Sequence, residues 1–150
     1  MKLILITLVG LIVGMMVACG GGGLQIANAQ EVVDSLNRTG WDVVNCDGQA
    51  HAMVGADSGL GCTAGPRGKT GVAIEVYTYA GDAKKGCDDS GWLCRALVDE
   101  ADSEERTIIF SGNVMLVIHW GNDVWGCEGS ACADFGAEVA KVMIEDLKAE

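Results

Sequence analysis

The residues best able to do chemistry in this 150-residue chain are seven cysteines and two histidines, His51 and His119. Cys19 stands alone near the N-terminus. The other six are spread through the body at Cys46, Cys62, Cys87, Cys94, Cys127 and Cys132. A thiolate beside an imidazole can hold a soft metal, but a sulfur tied into a disulfide is a poor ligand. An even set of cysteines in an exported domain instead points to a disulfide framework. Six cysteines allow many pairings, and the local set Cys46–Cys62, Cys87–Cys94 and Cys127–Cys132 ranks first. Geometry constrains the middle pair. On one continuous helix those two residues would lie about 10 Å apart, whereas a bridge needs Cα atoms within about 7 Å. Cys87–Cys94 therefore requires a break, and Asp88-Asp89-Ser90-Gly91 has turn chemistry. By loop entropy, the longer Cys46–Cys62 bridge would contribute about 3 kcal/mol.

Other constellations are weaker. Thr63-Ala64-Gly65-Pro66-Arg67-Gly68-Lys69-Thr70 looks like a phosphate loop at first glance. The first glycine of that motif would fall on Thr63, and a strand rather than a helix is expected behind it. His51 with Cys46 or Cys62 would be a metal site only if the thiols were free. Asp99, Glu100, Asp102, Glu104 and Glu105 form an acidic cluster without the spacing of a calcium loop. Trp120-Gly121-Asn122-Asp123-Val124-Trp125 sets two indoles about a polar turn. Trp120, Asn122, Asp123 and Trp125 together could stack on and hydrogen-bond a glycan or peptide. Asn37-Arg38-Thr39 is a formal glycosylation sequon at an expected helix end. No serine sits in a nucleophile elbow. Glu75 and Asp123 read as surface carboxylates, and His119 as a core or edge residue. No catalytic, cofactor or metal-binding residue is assigned.

The N-terminus is more specific. Met1-Lys2 precedes an apolar run from Leu3 to Ala18. That run would span about 24 Å as a helix, short of the roughly 30 Å hydrocarbon core. One positive charge, an apolar stretch and a small final residue describe a cleavable signal, residues 1–18. Met16-Val17-Ala18-Cys19 resembles the lipobox of bacterial lipoproteins. The resemblance covers only this leader. It implies cleavage before Cys19, a lipid on that thiol, and anchorage to the cell or outer membrane with the body in the periplasm or at the surface. Several acyl chains on one cysteine hold a protein far more firmly than a single reversible chain. Gly20 to Gly23 and the residues to Ala27 then read as a tether, and 28–150 as one domain. With Cys19 lipidated, the remaining cysteines are even in number. The rest of the chain resembles small exported lipoprotein domains without a motif tying it to a named family.

The net charge is −11, and removal of Lys2 with the leader makes it −12. A nucleic-acid partner is excluded, because phosphate backbones are bound by Lys and Arg. The membrane, through the lipid on Cys19, and an envelope protein, peptide or glycan are the expected partners. The expected function is that of a non-enzymatic binding or interaction module. The alternatives are an envelope enzyme, hydrolytic by default with a cleft near the second hairpin, and a metal- or redox-binding lipoprotein using the cysteines.

The elements that must position these residues follow from periodicity. Ala29, Val32, Val33 and Leu36 give one apolar face to a helix over 29–38, with Asn28 as cap and Gly40 as stop. Residues 41–46 alternate as a strand. Residues 47–70 are glycine-rich and loop-like, with a short strand placed at 50–54. Residues 71–79 form the clearest strand: Val72, Ile74, Val76 and Thr78 face the core, and Ala73, Glu75, Tyr77 and Tyr79 face a half-exposed side. A helix lies within 82–101. Residues 106–111 and 114–120 make a hairpin about Gly112-Asn113. A last helix covers 134–148. The order α-β-β-α-β-β-α predicts an α+β fold: an antiparallel sheet of four to five strands, helices on one face, stapled by disulfides.

Overall fold

The computed structural model describes residues 24–65, 72–99, 106–119 and 130–149. Helix α1 is Ala29–Arg38, with the bounds its apolar spacing predicts. The Asn28 side chain accepts the Glu31 backbone N–H at 3.0 Å, and the Glu31 carboxylate reaches back to the Ala27 N–H at 2.9 Å. One orphan donor of the first turn, and the N–H just before the cap, are thereby satisfied. Gly40 ends the segment at a φ of 95°, which favours glycine.

The chain then builds strands β1 (Asp42–Gly48), β2 (Ser58–Gly65) and β3 (Val72–Thr78). Helices α2 (Ala83–Asp89) and α3 (Trp92–Asp99) follow, then β4 (Arg106–Ser111), β5 (Val114–His119) and α4 (Ser130–Ala149). The five strands form one antiparallel sheet in the order β1-β2-β3-β5-β4. The class is α+β, as its sequence pattern predicts. Three details differ. Residues 51–54 are a single 3₁₀ turn, not a strand, and the third strand of the first half is β2, inside the glycine-rich stretch. The segment 82–101 holds two helices. Helix α4 begins four residues earlier than its apolar stripe suggests.

Helices pack against both faces of the sheet, and this corrects the one-sided packing. Val72, Ile74, Val76, Val114, Leu116 and Ile118 point to one side, where Val32, Val33 and Leu36 of α1 and Val139, Met143 and Leu147 of α4 bury them. The alternate residues Tyr77, Met115 and Val117 point to the other. There Val54 and Ala83, Cys87, Cys94 and Leu97 of the α2–α3 pair make a second, smaller core. Burial of Tyr77 and Tyr79 is the direct result: positions expected to be half-exposed are 5% and 4% exposed.

Both disulfides expected within the described residues are present. Cys46–Cys62 joins β1 to β2 with Cα atoms 4.2 Å apart. Val44 pairs with Thr63 and Asp47 with Gly61, so β1 carries an extra residue here. That bulge holds Asn45 at a φ of 54°, a conformation asparagine tolerates better than most side chains. Cys87–Cys94 joins α2 to α3 across 5.4 Å. The break falls at Ser90-Gly91, where Gly91 has a φ of 109°. Cys127 and the Cys132 side chain lie outside the described residues.

Candidate functional site

Among the described residues, the second sheet face is roofed over only part of its length. In order from β2 to β4, its rows read Gly59–Tyr77–Met115–Phe110, then Gly61–Glu75–Val117–Ile108, then Thr63–Ala73–His119–Arg106. The 3₁₀ turn and the α2–α3 pair cover the first row. They stop short of the third, where Ala73 is exposed and His119 half-buried. At the step lies a groove of about 470 Å³. Met53, Trp92, Leu93 and Ala96 line its wall, Tyr77 its floor, and Gln49 and Arg106 its polar margin. Trp92 is 74% exposed and Met53 59%, the two most exposed large apolar side chains among the described residues.

Two glycines make this floor possible. A Cβ on Gly59 would lie 2.8 Å from the Tyr77 ring and 2.9 Å from the His51 Cβ. A Cβ on Gly61 would collide with the Gln49 side chain. Bare backbone at these two strand positions lets Tyr77 and Gln49 lie across the sheet.

Beside the groove is a polar network. Nε2 of His119 lies 3.0 Å from Oε1 of Glu75, and the Tyr77 hydroxyl donates to Oε2 of Glu75 at 2.6 Å. Both carboxylate oxygens are therefore engaged. The His119 hydrogen bond, aided by that of Tyr77 and by the charges of His119 and Arg106, outweighs partial burial and holds Glu75 below the usual carboxylate range. Burial, and then the Glu75 carboxylate, push the Tyr77 phenol far above its ordinary value. Burial alone pushes Tyr79 up to about 12. The network is thus an ionised carboxylate fixed between donors. Neither Glu75 nor Tyr77 exchanges a proton near neutrality.

The sequence-predicted candidates fare differently. Trp120, Asn122, Asp123 and Trp125 lie outside the described residues; Trp120 is the next residue after His119. Cys19 and most of the acidic cluster also lie outside them, and Asp99 is an exposed residue ending α3. His51 belongs to the 3₁₀ turn, with Nδ1 3.1 Å from the Gln49 carbonyl oxygen. Cys46 and Cys62 are bonded to each other, so the imagined thiolate–His51 metal site has no thiolate. Among the described residues, no group of three or more His, Cys, Asp or Glu side chains could hold a metal ion. Asn37 of the sequon uses its amide on Val43, accepting from its N–H at 2.9 Å and donating to its carbonyl at 3.2 Å. A strand and not a helix follows the phosphate-loop-like segment, as predicted: β3 begins at Val72, two residues after Thr70. Sequence reasoning missed the Trp92 groove and took Glu75 and His119 separately. The available signal was their spacing: both fall on strands, at positions that register brings to one face.

No protein-family model, no curated protein and no solved structure matches this chain. Among the described residues, no helix is long and apolar enough to cross a membrane. The two disulfides fit an oxidising compartment.

Proposed function

We propose that this chain is an exported lipoprotein, anchored through a lipid on Cys19, whose domain binds an envelope peptide or glycan without transforming it. The groove between α3 and the open rows of the sheet is its binding site. The observation that carries this reading is an exposed indole and thioether, Trp92 and Met53, standing over Tyr77, with a network beside the groove whose ionisable groups satisfy one another. Such a surface supplies stacking area and fixed polar contacts, as ligand sites do. Proton-transfer catalysis calls for groups poised near the working pH, and Glu75 and Tyr77 are held away from it. Leader removal, a lipid on Cys19 and oxidised cysteines together account for the N-terminal pattern and the two bridges.

Two measurements test the reading. Intact mass of the protein isolated from its cells, before and after reduction, reads the lipid on Cys19 and the disulfides together. A mature chain without lipid on Cys19 would end the anchored-lipoprotein part. Binding of soluble muropeptides, which carry both a glycan and a short peptide, is read by calorimetry on the wild type and Trp92→Ala. Saturable binding lost in the variant supports the groove; equal binding by both places the ligand elsewhere.

A further inference from the structure

Leu24 to Ile26, expected to belong to a free tether, are docked on the domain. Leu24 is buried, and its carbonyl accepts the Asn113 backbone N–H at 2.9 Å. The Asn113 side chain accepts from the Ile26 N–H at 2.8 Å and donates to the Ile26 carbonyl at 2.7 Å. The same amide donates to the Tyr79 carbonyl at 3.0 Å, and the Tyr79 N–H returns a bond to the Asn113 carbonyl at 2.9 Å. The Gly112 carbonyl accepts from Ala83 N–H at 2.8 Å. The β4–β5 turn, the end of β3 and the start of α2 thus close on the segment before α1.

We propose that this clamp makes the Asn113 end of the domain its membrane-proximal end and turns the His119–Arg106 end toward the aqueous compartment. The inference rests on the lipid anchor at Cys19 proposed above. It deepens that reading by naming the ligand's source: the groove's open row meets water-soluble partners, not lipids of the anchoring bilayer.

Reach decides the matter. Only Gly20 to Gly23 separate Cys19 from docked Leu24. Five Cα steps extend to about 18 Å at most, with an r.m.s. span of roughly 12 Å for a flexible chain. Were Leu24 to Ala27 loose, the r.m.s. span would rise to about 16 Å. Ala73 stands six residues along β3 from Tyr79, about 20 Å farther from the clamp. The short glycine run therefore holds the clamp end near the headgroups while the other end stands a strand length away. The domain's negative charge opposes its lying flat on an anionic surface.

The test places a photo-crosslinking amino acid at Gly81 or at Ala73 of the full chain, in vesicles of phosphatidylethanolamine and phosphatidylglycerol. A Cβ at Gly81 meets nothing within 4 Å, and Ala73 is exposed, so both sites accept the probe. Mass spectrometry reads lipid adducts together with the state of Cys19. The expected result is several-fold more lipid adduct at position 81 than at 73. Asn113→Ala should bring that ratio toward one. A flexible insertion between Gly23 and Leu24, which leaves the clamp intact, should lower adducts at both positions. Equal or reversed labelling on a chain whose Cys19 carries lipid overturns the orientation and leaves the anchor standing. Absence of lipid on Cys19 overturns the anchor and the orientation with it.

Discussion

Asn113 carries more of the fold than a turn residue should, and replacing it gives a sharp test. Asparagine here is 5% exposed and its amide makes three hydrogen bonds: one accepted from Ile26 and two donated, to the Ile26 and Tyr79 carbonyls. Each such bond contributes a net 0.5–1.5 kcal/mol, so Asn113→Ala should cost about 3 kcal/mol. Ile26 is part-exposed, and water can recover its groups; the Tyr79 carbonyl is in a buried contact and stays unpaired. Asn113→Asp separates hydrogen bonding from packing. It keeps nearly the same shape and can still accept from Ile26, but it sets an oxygen against two carbonyls. It should therefore destabilise at least as much as alanine. The assay is urea unfolding of both variants, with amide exchange at Ile26 as a local readout. Aspartate within about 1 kcal/mol of wild type would refute the argument, because side-chain shape rather than donor geometry would then hold the segment.

Three further outcomes follow from the packing. Gly59→Ala should cost about 1–3 kcal/mol in denaturant unfolding and perturb the Tyr77 environment, because its Cβ meets the Tyr77 ring at 2.8 Å. The chain's two tyrosines, Tyr77 and Tyr79, are both buried, so phenolate absorbance reports only on them. Their raised values stabilise the fold fully below pH 10, and this contribution is lost as pH rises through the folded-state values, about 12 for Tyr79. Phenolate should appear together with loss of circular dichroism; two phenols titrating near pH 10 in an intact fold would contradict this. Mild reductant should open Cys46–Cys62 first, because Cys46 is half-buried on an edge strand while Cys87 and Cys94 are fully buried. Peptide-resolved alkylation reads the order, and loop entropy assigns losses of about 3 and about 2 kcal/mol to the two bridges.

The elements legible in the sequence are those whose apolar spacing settles on one answer. Helix α1 shows its stripe, cap and stop; β3 and the hairpin show alternation and a two-residue turn. The break between Cys87 and Cys94 follows from distance alone. The stretch 58–65 was illegible for a physical reason. Glycine ordinarily weakens a strand, yet Gly59 and Gly61 are strand positions where a neighbouring side chain lies across the backbone. The partner that makes glycine necessary is Tyr77 in one case and Gln49 in the other, each distant in sequence or hidden in a turn.

The same limit explains why the second helical layer and the groove went unseen. Alternation along β3 identifies the Val72–Thr78 face as core because its residues are uniformly aliphatic or small. Ala73, Glu75, Tyr77 and Tyr79 give a mixed signal, since among the described residues one end of that face is roofed and Ala73 at the other is exposed. A strand crossing such a boundary cannot be classed as one-sided or two-sided by its average. It changes character residue by residue, from buried Tyr79 to exposed Ala73. The mixed face is therefore the informative one. Where the roof ends, Glu75 needs donors, and His119 and Tyr77 supply them from positions chosen by strand register. The apolar edge of the roof, Trp92 and Met53, is left facing solvent at the same step. An unfinished layer of this kind yields a groove with an apolar wall, a Tyr77 floor and a polar network at its side, so that binding chemistry of both kinds meets there.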